Sequence, residues 1–153
     1  MPLRPKIALY EPDIPQNTAA IIRTCACLGA ELEIIEPCGF LFGDKRFKRV
    51  VMDYIDEKLI KFYQSSEDFF ESKEGQRVIL LTTKSAESYA SFKFEGNDTL
   101  LFGRESAGVP DHVHNSIKYK LKIPMMSNKR SLNIASSVAI ILSENLRQTN
   151  FTK

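Results

Sequence analysis

The sequence predicts an α/β protein whose mostly parallel sheet is flanked by helices. Short apolar runs alternate with stretches of helical periodicity from one end of the chain to the other. No repeat, low-complexity tract or interdomain linker interrupts that alternation, and 153 residues suit one domain with one core. The expected organisation is therefore a single domain over 1–153.

Taken in order, KIALY (6–10) is an apolar run stopped by Pro12, and a helix is expected over 17–28 behind Pro15. LEII (32–35) is the second strand, and a short helix is expected over 46–53. LIKFY (59–63) and RVILLTT (77–83) are strands on either side of a helix over 66–72, and a further helix is expected over 86–90. TLLF (99–102) is apolar on both faces, as a strand covered by helices must be. A helix over 110–116 precedes KLKI (120–123). There Lys118, Lys120 and Lys122 share one face, while Tyr119, Leu121 and Ile123 share the other. That pattern fits either a wet or partner-facing side or an edge strand protected by lysines. The last helix runs from about Ser131 to Gln148, with Ile134, Val138, Ile141 and Leu142 as its apolar stripe and Asn145 and Gln148 near its polar end.

Composition narrows the classes. Hydrophobic residues make up 43% and charged residues 26%, values ordinary for a soluble globular protein. No apolar run is long enough to span a bilayer, and Met1-Pro2-Leu3-Arg4-Pro5-Lys6 lacks the core of a signal peptide. Three cysteines fit a reducing compartment, so the cytoplasm is expected, with no membrane partner. Cys25 and Cys27 point to different sides of a helix and read as small buried hydrophobes, and His112 and His114 have no Cys or His neighbours. No metal is expected. A net charge of +2 does not by itself imply a nucleic-acid partner. Its distribution says more: DKRFKR (44–49) sets Lys45, Arg46, Lys48 and Arg49 around Phe47. Such a cluster is either a solvated helix face or an RNA-facing patch.

Three loops leave strand carboxyl ends, where ligands of open α/β sheets sit. They are EPDIPQN (11–17), GRESAGVP (103–110) and PMMSNKRSLN (124–133). Arg23, on the helix after the first loop, has only Ala19, Ala20, Ala26 and Cys27 at its i±3 and i±4 positions. A backbone or ligand could come close there; the alternative is an arginine snorkelling over a packed face. Asn17, Ser131 and Glu105 could each be a helix cap or a ligand contact.

In order and spacing, PQN…R (15–23), LLFGRESAGVP (100–110) and IPM…RSLNIASSVAIIL (123–142) resemble the three motifs of the SpoU branch of the SPOUT methyltransferases. The resemblance extends to YEPDIPQNTAAIIRTC, IIEPCGF, DKR, LTTK and ENLRQ, and so covers nearly the whole chain. It is most similar to the short tRNA 2′-O-methyltransferases of the wobble cytidine or modified uridine. The resemblance implies a C-terminal trefoil knot, against the general rule that chains are unknotted. It also implies a homodimer, tRNA as partner, and S-adenosylmethionine as cofactor with S-adenosylhomocysteine as product. Cofactor contacts would fall on Leu81, Gly103, Ile123 and Ser131, while Asn17, Arg23, Glu105 and Asn133 match positions tied to catalysis or site architecture. Lys45, Arg46, Lys48 and Arg49 are expected to touch RNA phosphates. Ala19 stands where many relatives have glycine, and Ser143 where close relatives have tyrosine. The rival readings are the same chemistry on another tRNA position or on rRNA, a non-catalytic cofactor-binding RNA module, and a dinucleotide binder. The last would need a G-x-G-x-x-G after the first strand, which the sequence lacks.

Overall fold

The structure is a computed structural model and describes residues 3–40, 60–127, 129 and 132–149. Lys45, Arg46, Lys48, Arg49, Ser131 and the helix expected over 46–53 lie outside these residues. Six strands form one sheet: β1 (Lys6–Tyr10), β2 (Glu31–Ile35), β3 (Ile60–Tyr63), β4 (Val78–Leu81), β5 (Thr99–Phe102) and β6 (Tyr119–Leu121). Their order is β3-β2-β1-β5-β4-β6, and every pairing is parallel.

The alternation of side chains along each strand builds two apolar layers. Ile7, Leu9, Ile34, Leu100 and Phe102 face α1 (Pro15–Leu28) and α4 (Ile134–Thr149). Ala8, Tyr10, Ile35 and Leu101 face α2 (Ser66–Ser72) and α3 (Asp111–Ser116). Each fully buried Leu or Ile contributes about 1.5–3 kcal/mol by leaving water. The apolar stripe expected on the last helix is in place, with Val138, Ile141 and Leu142 wholly buried. One buried ion pair interrupts the second layer: Lys73 Nζ lies 2.7 Å from Glu33 Oε1, and the Tyr63 hydroxyl donates to Glu33 Oε2.

Several elements differ from expectation for identifiable reasons. The helix expected over 86–90 is only a 3₁₀ turn, Tyr89–Ser91. Backbone bonds from Tyr89 N–H to Lys122 O and from Lys122 N–H to Glu87 O hold this segment beside β6, so it does not coil further. The strand with alternating lysines is the sheet edge, and its Lys120 ammonium donates to the His114 carbonyl at 3.2 Å. Cys25 is buried as expected, but Cys27 is exposed because it lies on the outer side of α1. Asn145 and Gln148 are not a solvated end. Asn145 is fully buried and donates to Glu95 O, while Gln148 accepts from Phe94 N–H and donates to Phe92 O. Together they hold residues 92–95 of the β4–β5 connection against α4.

The order of strands fixes where a ligand belongs. From β1 the chain runs through α1 to β2, on one side; from β5 it runs through α3 to β6, on the other. Neighbouring strands whose connections diverge leave a crevice beyond their carboxyl ends. Here that crevice lies outside β1 and β5.

Candidate functional site

The segments after β4, β5 and β6 line one cavity, and of the loop expected over 11–17 only Asn17 reaches it. A cavity of about 560 Å³ is lined by Leu81–Lys84, Gly103–Val109, Ile123, Leu132–Ile134, Asn17 and His114, among others. Its volume lies within the range of small-molecule sites. Leu81, Gly103, Ile123, Asn17, Glu105 and Asn133 are therefore gathered at one place, although they span the chain.

The loop from Gly103 to Gly108 is a closed turn. Arg104 and Gly108 exchange both backbone hydrogen bonds, at 3.2 and 2.8 Å. A side chain on Gly103 would place its Cβ 2.7 Å from Gly108 Cα and C, and Gly108 has φ +67°, a conformation only glycine adopts without strain. The glycines bracketing Arg104 and Glu105 thus have separate duties: Gly103 permits the close approach and Gly108 turns the chain. Arg104 pairs with Glu11 at 2.6 Å, which joins this loop to the one after β1.

Asn17 is the third residue of α1, so it is not that helix's cap. Pro15 opens the helix instead, where its missing N–H costs nothing. The Asn17 carbonyl oxygen accepts from the Asn133 amide at 3.0 Å. Asn133 also caps α4: its Oδ1 accepts Ala135 N–H at 2.8 Å and Ser136 N–H at 3.4 Å. The helix therefore starts at Ile134, with Asn133 rather than the expected Ser131 at its cap position. Glu105 does not cap the helix that follows it. Its Oε2 accepts Asp13 N–H at 3.1 Å, and burial, then the neighbouring Asp13 carboxyl, push its acid group above the usual range. Asp13 is held below the ordinary carboxylate range by its hydrogen bond with Glu105, assisted by Ser106 and Arg104.

Arg23 is placed differently from the other three. It is exposed on α1 and does not line the cavity. Beside it on the outer surface of the helix lie Ala20 and Cys27, also exposed. Sequence reasoning missed Asp13, whose only signal was a carboxylate between Pro12 and Pro15. It also missed His114 and Lys84, which line the cavity from α3 and from the end of β4. Among the described residues, no group of three or more His, Cys, Asp or Glu side chains could hold a metal ion, and no helix is long and apolar enough to cross a membrane.

A parallel α/β sheet with a cavity beyond its strand carboxyl ends, lined by both apolar and polar groups, is the arrangement in which such folds hold small molecules. The class narrows further by comparison: residues 4–143 match the model of the SpoU rRNA Methylase family, and the chain belongs to that family. A relative from Beijerinckia indica subsp. indica, named tRNA (cytidine(34)-2′-O)-methyltransferase, is 46% identical over 144 residues, covering 93% of this chain and 90% of the relative. A solved structure described as giving structural insights into the 2-OH methylation of C/U34 on tRNA superposes with a TM-score of 0.90. It is 37% identical, and the match covers 97% of each chain. A SpoU methyltransferase from Streptomyces viridochromogenes, in complex with AdoMet, shares the fold with a TM-score of 0.80 at 22% identity. That match covers 97% of this chain and 58% of the other.

Proposed function

We propose that this chain is an S-adenosylmethionine-dependent 2′-O-ribose methyltransferase of tRNA, acting on the wobble nucleotide, cytidine or a modified uridine. The observation that carries the proposal is the meeting of Asn17, Glu105 and Asn133 at one cavity, in a family member 46% identical to a tRNA (cytidine(34)-2′-O)-methyltransferase.

The cavity suits the cofactor. Its apolar wall, which includes Leu81, Phe102 and Ile123, offers a surface for a base, and the backbone of the Gly103–Val109 loop comes to its edge. Leu81, Gly103, Ile123 and Ser131 would hold the cofactor. When bound, S-adenosylmethionine supplies a methyl group already activated on a sulfonium. The protein's part is geometric and electrostatic. The Asn17–Asn133 hydrogen bond fixes the start of α1 against the start of α4, which sets the shape of the substrate side of the cavity. Arg23 binds the substrate phosphate through its fork of N–H donors and offsets developing oxyanion charge. A guanidinium keeps its proton, so the ribose proton passes to a phosphate oxygen or to water.

Three further features belong to the same reading. Arg23 lies outside the cavity lining on an exposed small-residue surface of α1, which supports a homodimer that brings this surface to a partner's site. The same reading carries the C-terminal trefoil knot that the resemblance to the SPOUT methyltransferases implies. As a single domain over 1–153, the protein would take its RNA affinity from its own surface, with Lys45, Arg46, Lys48 and Arg49 on phosphates, in the cytoplasm where tRNA is modified. Calorimetry tests the cofactor assignment: S-adenosylmethionine should bind and nicotinamide dinucleotides should not. The reverse preference would replace this function with a dinucleotide-binding one. Arg23→Lys keeps the charge but loses the fork, so turnover should fall; unchanged turnover would remove the phosphate clamp.

A further inference from the structure

The loops after β1 and β5 are joined by more than the Glu11–Arg104 ion pair. Asp13 donates its N–H to Glu105 Oε2 at 3.1 Å, and the Ser106 hydroxyl donates to Asp13 Oδ2. These residues are 92 and 93 positions apart in sequence. Once those bonds are made, each carboxyl group retains one buried oxygen with no donor: Asp13 Oδ1 and Glu105 Oε1. A buried acceptor left unpaired is costly, about 1–3 kcal/mol and more when charged. Two such oxygens on adjoining carboxyl groups have a common solution, since one proton between them satisfies both.

We propose that Asp13 is a positioning residue of this site, sharing one proton with Glu105 so that the two carboxyl groups latch the β1–α1 loop to the β5–α3 loop. The inference rests on the cofactor-binding reading of the cavity given above. The proton belongs on Glu105 Oε1 and is donated to Asp13 Oδ1. The asymmetry of surroundings decides this: Asp13 already accepts from Ser106 and lies in the field of Arg104, which favour its ionised form, whereas Glu105 is more deeply buried. The latch is also closed from behind. Gly39 N–H donates to Pro12 O at 2.9 Å, and a Cβ on Gly39 would lie 2.8 Å from Asp13 Cβ, so the backbone of Gly39 backs closely against Asp13.

Other charges near the pair are accounted for. Arg104 is shared: it pairs with Glu11 at 2.6 Å, and its charge also acts on Asp13. Cys38 has its thiol pushed up to about 12 by burial and by Glu36 and Glu11, so it stays neutral and adds no charge. His114 faces the same cavity from α3.

The consequence reaches the rest of the site through Asn17, which stands in the first turn of α1 just beyond Asp13 and is hydrogen-bonded to Asn133. Glu105 has a raised pKa in the folded protein, so its contribution is present at low pH and is lost as pH rises through that raised value. Asp13 has a lowered one, so its contribution is lost as pH falls through that value. The latch is tightest in the interval between the two values. Above it two negative charges face each other and the loops loosen. It follows that Glu105 in the latched site is not the acceptor of the ribose proton.

The test is a ¹³C NMR titration of the Glu105 side-chain carboxyl in the wild-type protein and in Asp13→Asn, alongside calorimetry with S-adenosylhomocysteine across the same pH range. Glu105 is expected to titrate above the ordinary glutamate range in the wild type and about one pH unit or more lower in Asp13→Asn. Wild-type affinity should weaken several-fold as pH rises through the Glu105 midpoint, whereas Glu105→Gln, whose amide cannot ionise, should show no such step. If Asp13→Asn does not fold, the comparison of wild type with Glu105→Gln decides the matter. An ordinary Glu105 midpoint in the wild type, or an unchanged midpoint in Asp13→Asn, overturns the shared proton. Failure of S-adenosylhomocysteine to bind at any pH would overturn the cofactor reading instead, and the titration would still decide the latch.

Discussion

Asn133 carries two loads that substitutions can separate. Its Oδ1 caps α4 through Ala135 and Ser136 N–H, and its amide donates to Asn17 at 3.0 Å. Asn133→Ala removes both. Losing a cap of this kind costs about 1 kcal/mol, which lowers the melting temperature of a chain this size by about 2–4 °C. Asn133→Ser keeps the cap, because a serine hydroxyl accepts from the same N–H groups nearly as well. It is too short to reach Asn17, so the hydrogen bond between the two helix starts is lost. A neutral hydrogen bond is worth about 0.5–1.5 kcal/mol, which corresponds to about 2- to 10-fold in affinity if it shapes the cavity. Thermal unfolding and calorimetry with S-adenosylhomocysteine measure the two effects separately. Both variants lose the bond to Asn17 and should bind more weakly, and Asn133→Ala, which also loses the cap, should melt about 2–4 °C below Asn133→Ser. Serine destabilising as much as alanine would refute the capping role. Wild-type affinity in the serine variant would refute the link between the Asn17–Asn133 bond and the cofactor site.

Three other outcomes follow from the geometry. Gly103→Ala forces its methyl against Gly108, so it should cost about 1–3 kcal/mol in denaturant unfolding and reduce cofactor affinity; wild-type behaviour would show that the loop gives way freely. Lys73→Ala leaves Glu33 buried without its ion pair and should destabilise by about 3–5 kcal/mol, whereas Lys73→Met with Glu33→Leu should recover most of that loss. Equal losses in the single and double variants would mean that packing, not the stranded charge, sets the cost. Replacing Lys45, Arg46, Lys48 and Arg49 with alanine should weaken tRNA binding and flatten its salt dependence by about 0.7–0.9 for each phosphate no longer neutralised, and an unchanged slope would return that cluster to a solvated face.

Much of this architecture was legible because it depends on neighbours in sequence. KIALY and TLLF are strands within the ranges their apolar runs marked, and Val138, Ile141 and Leu142 face the core as their spacing required. The meeting of three loops was also readable, since loops leaving the same ends of parallel strands lie on the same side of a sheet. What escaped depends on partners far along the chain. Asp13 was missed because Glu105 and Ser106, its partners, are 92 and 93 positions away. Asn145 and Gln148 were placed near the polar end of the last helix, and sequence could not show that the backbone of residues 92–95 binds both. Glu33 and Lys73 lie on separate elements, and nothing local in the sequence pairs them; the fold does. The expected helix over 86–90 gave way to bonding with Lys122, a competition that local propensity does not contain.

The most direct test of the account is transfer of a labelled methyl group from S-adenosylmethionine to unmodified whole-cell tRNA by the purified protein. The RNA would be digested and its 2′-O-methylnucleosides mapped by mass spectrometry, with Arg23→Ala assayed alongside. The account predicts label on the wobble ribose that is lost in the Arg23 variant. Label elsewhere, or none when the cofactor is bound, would contradict it.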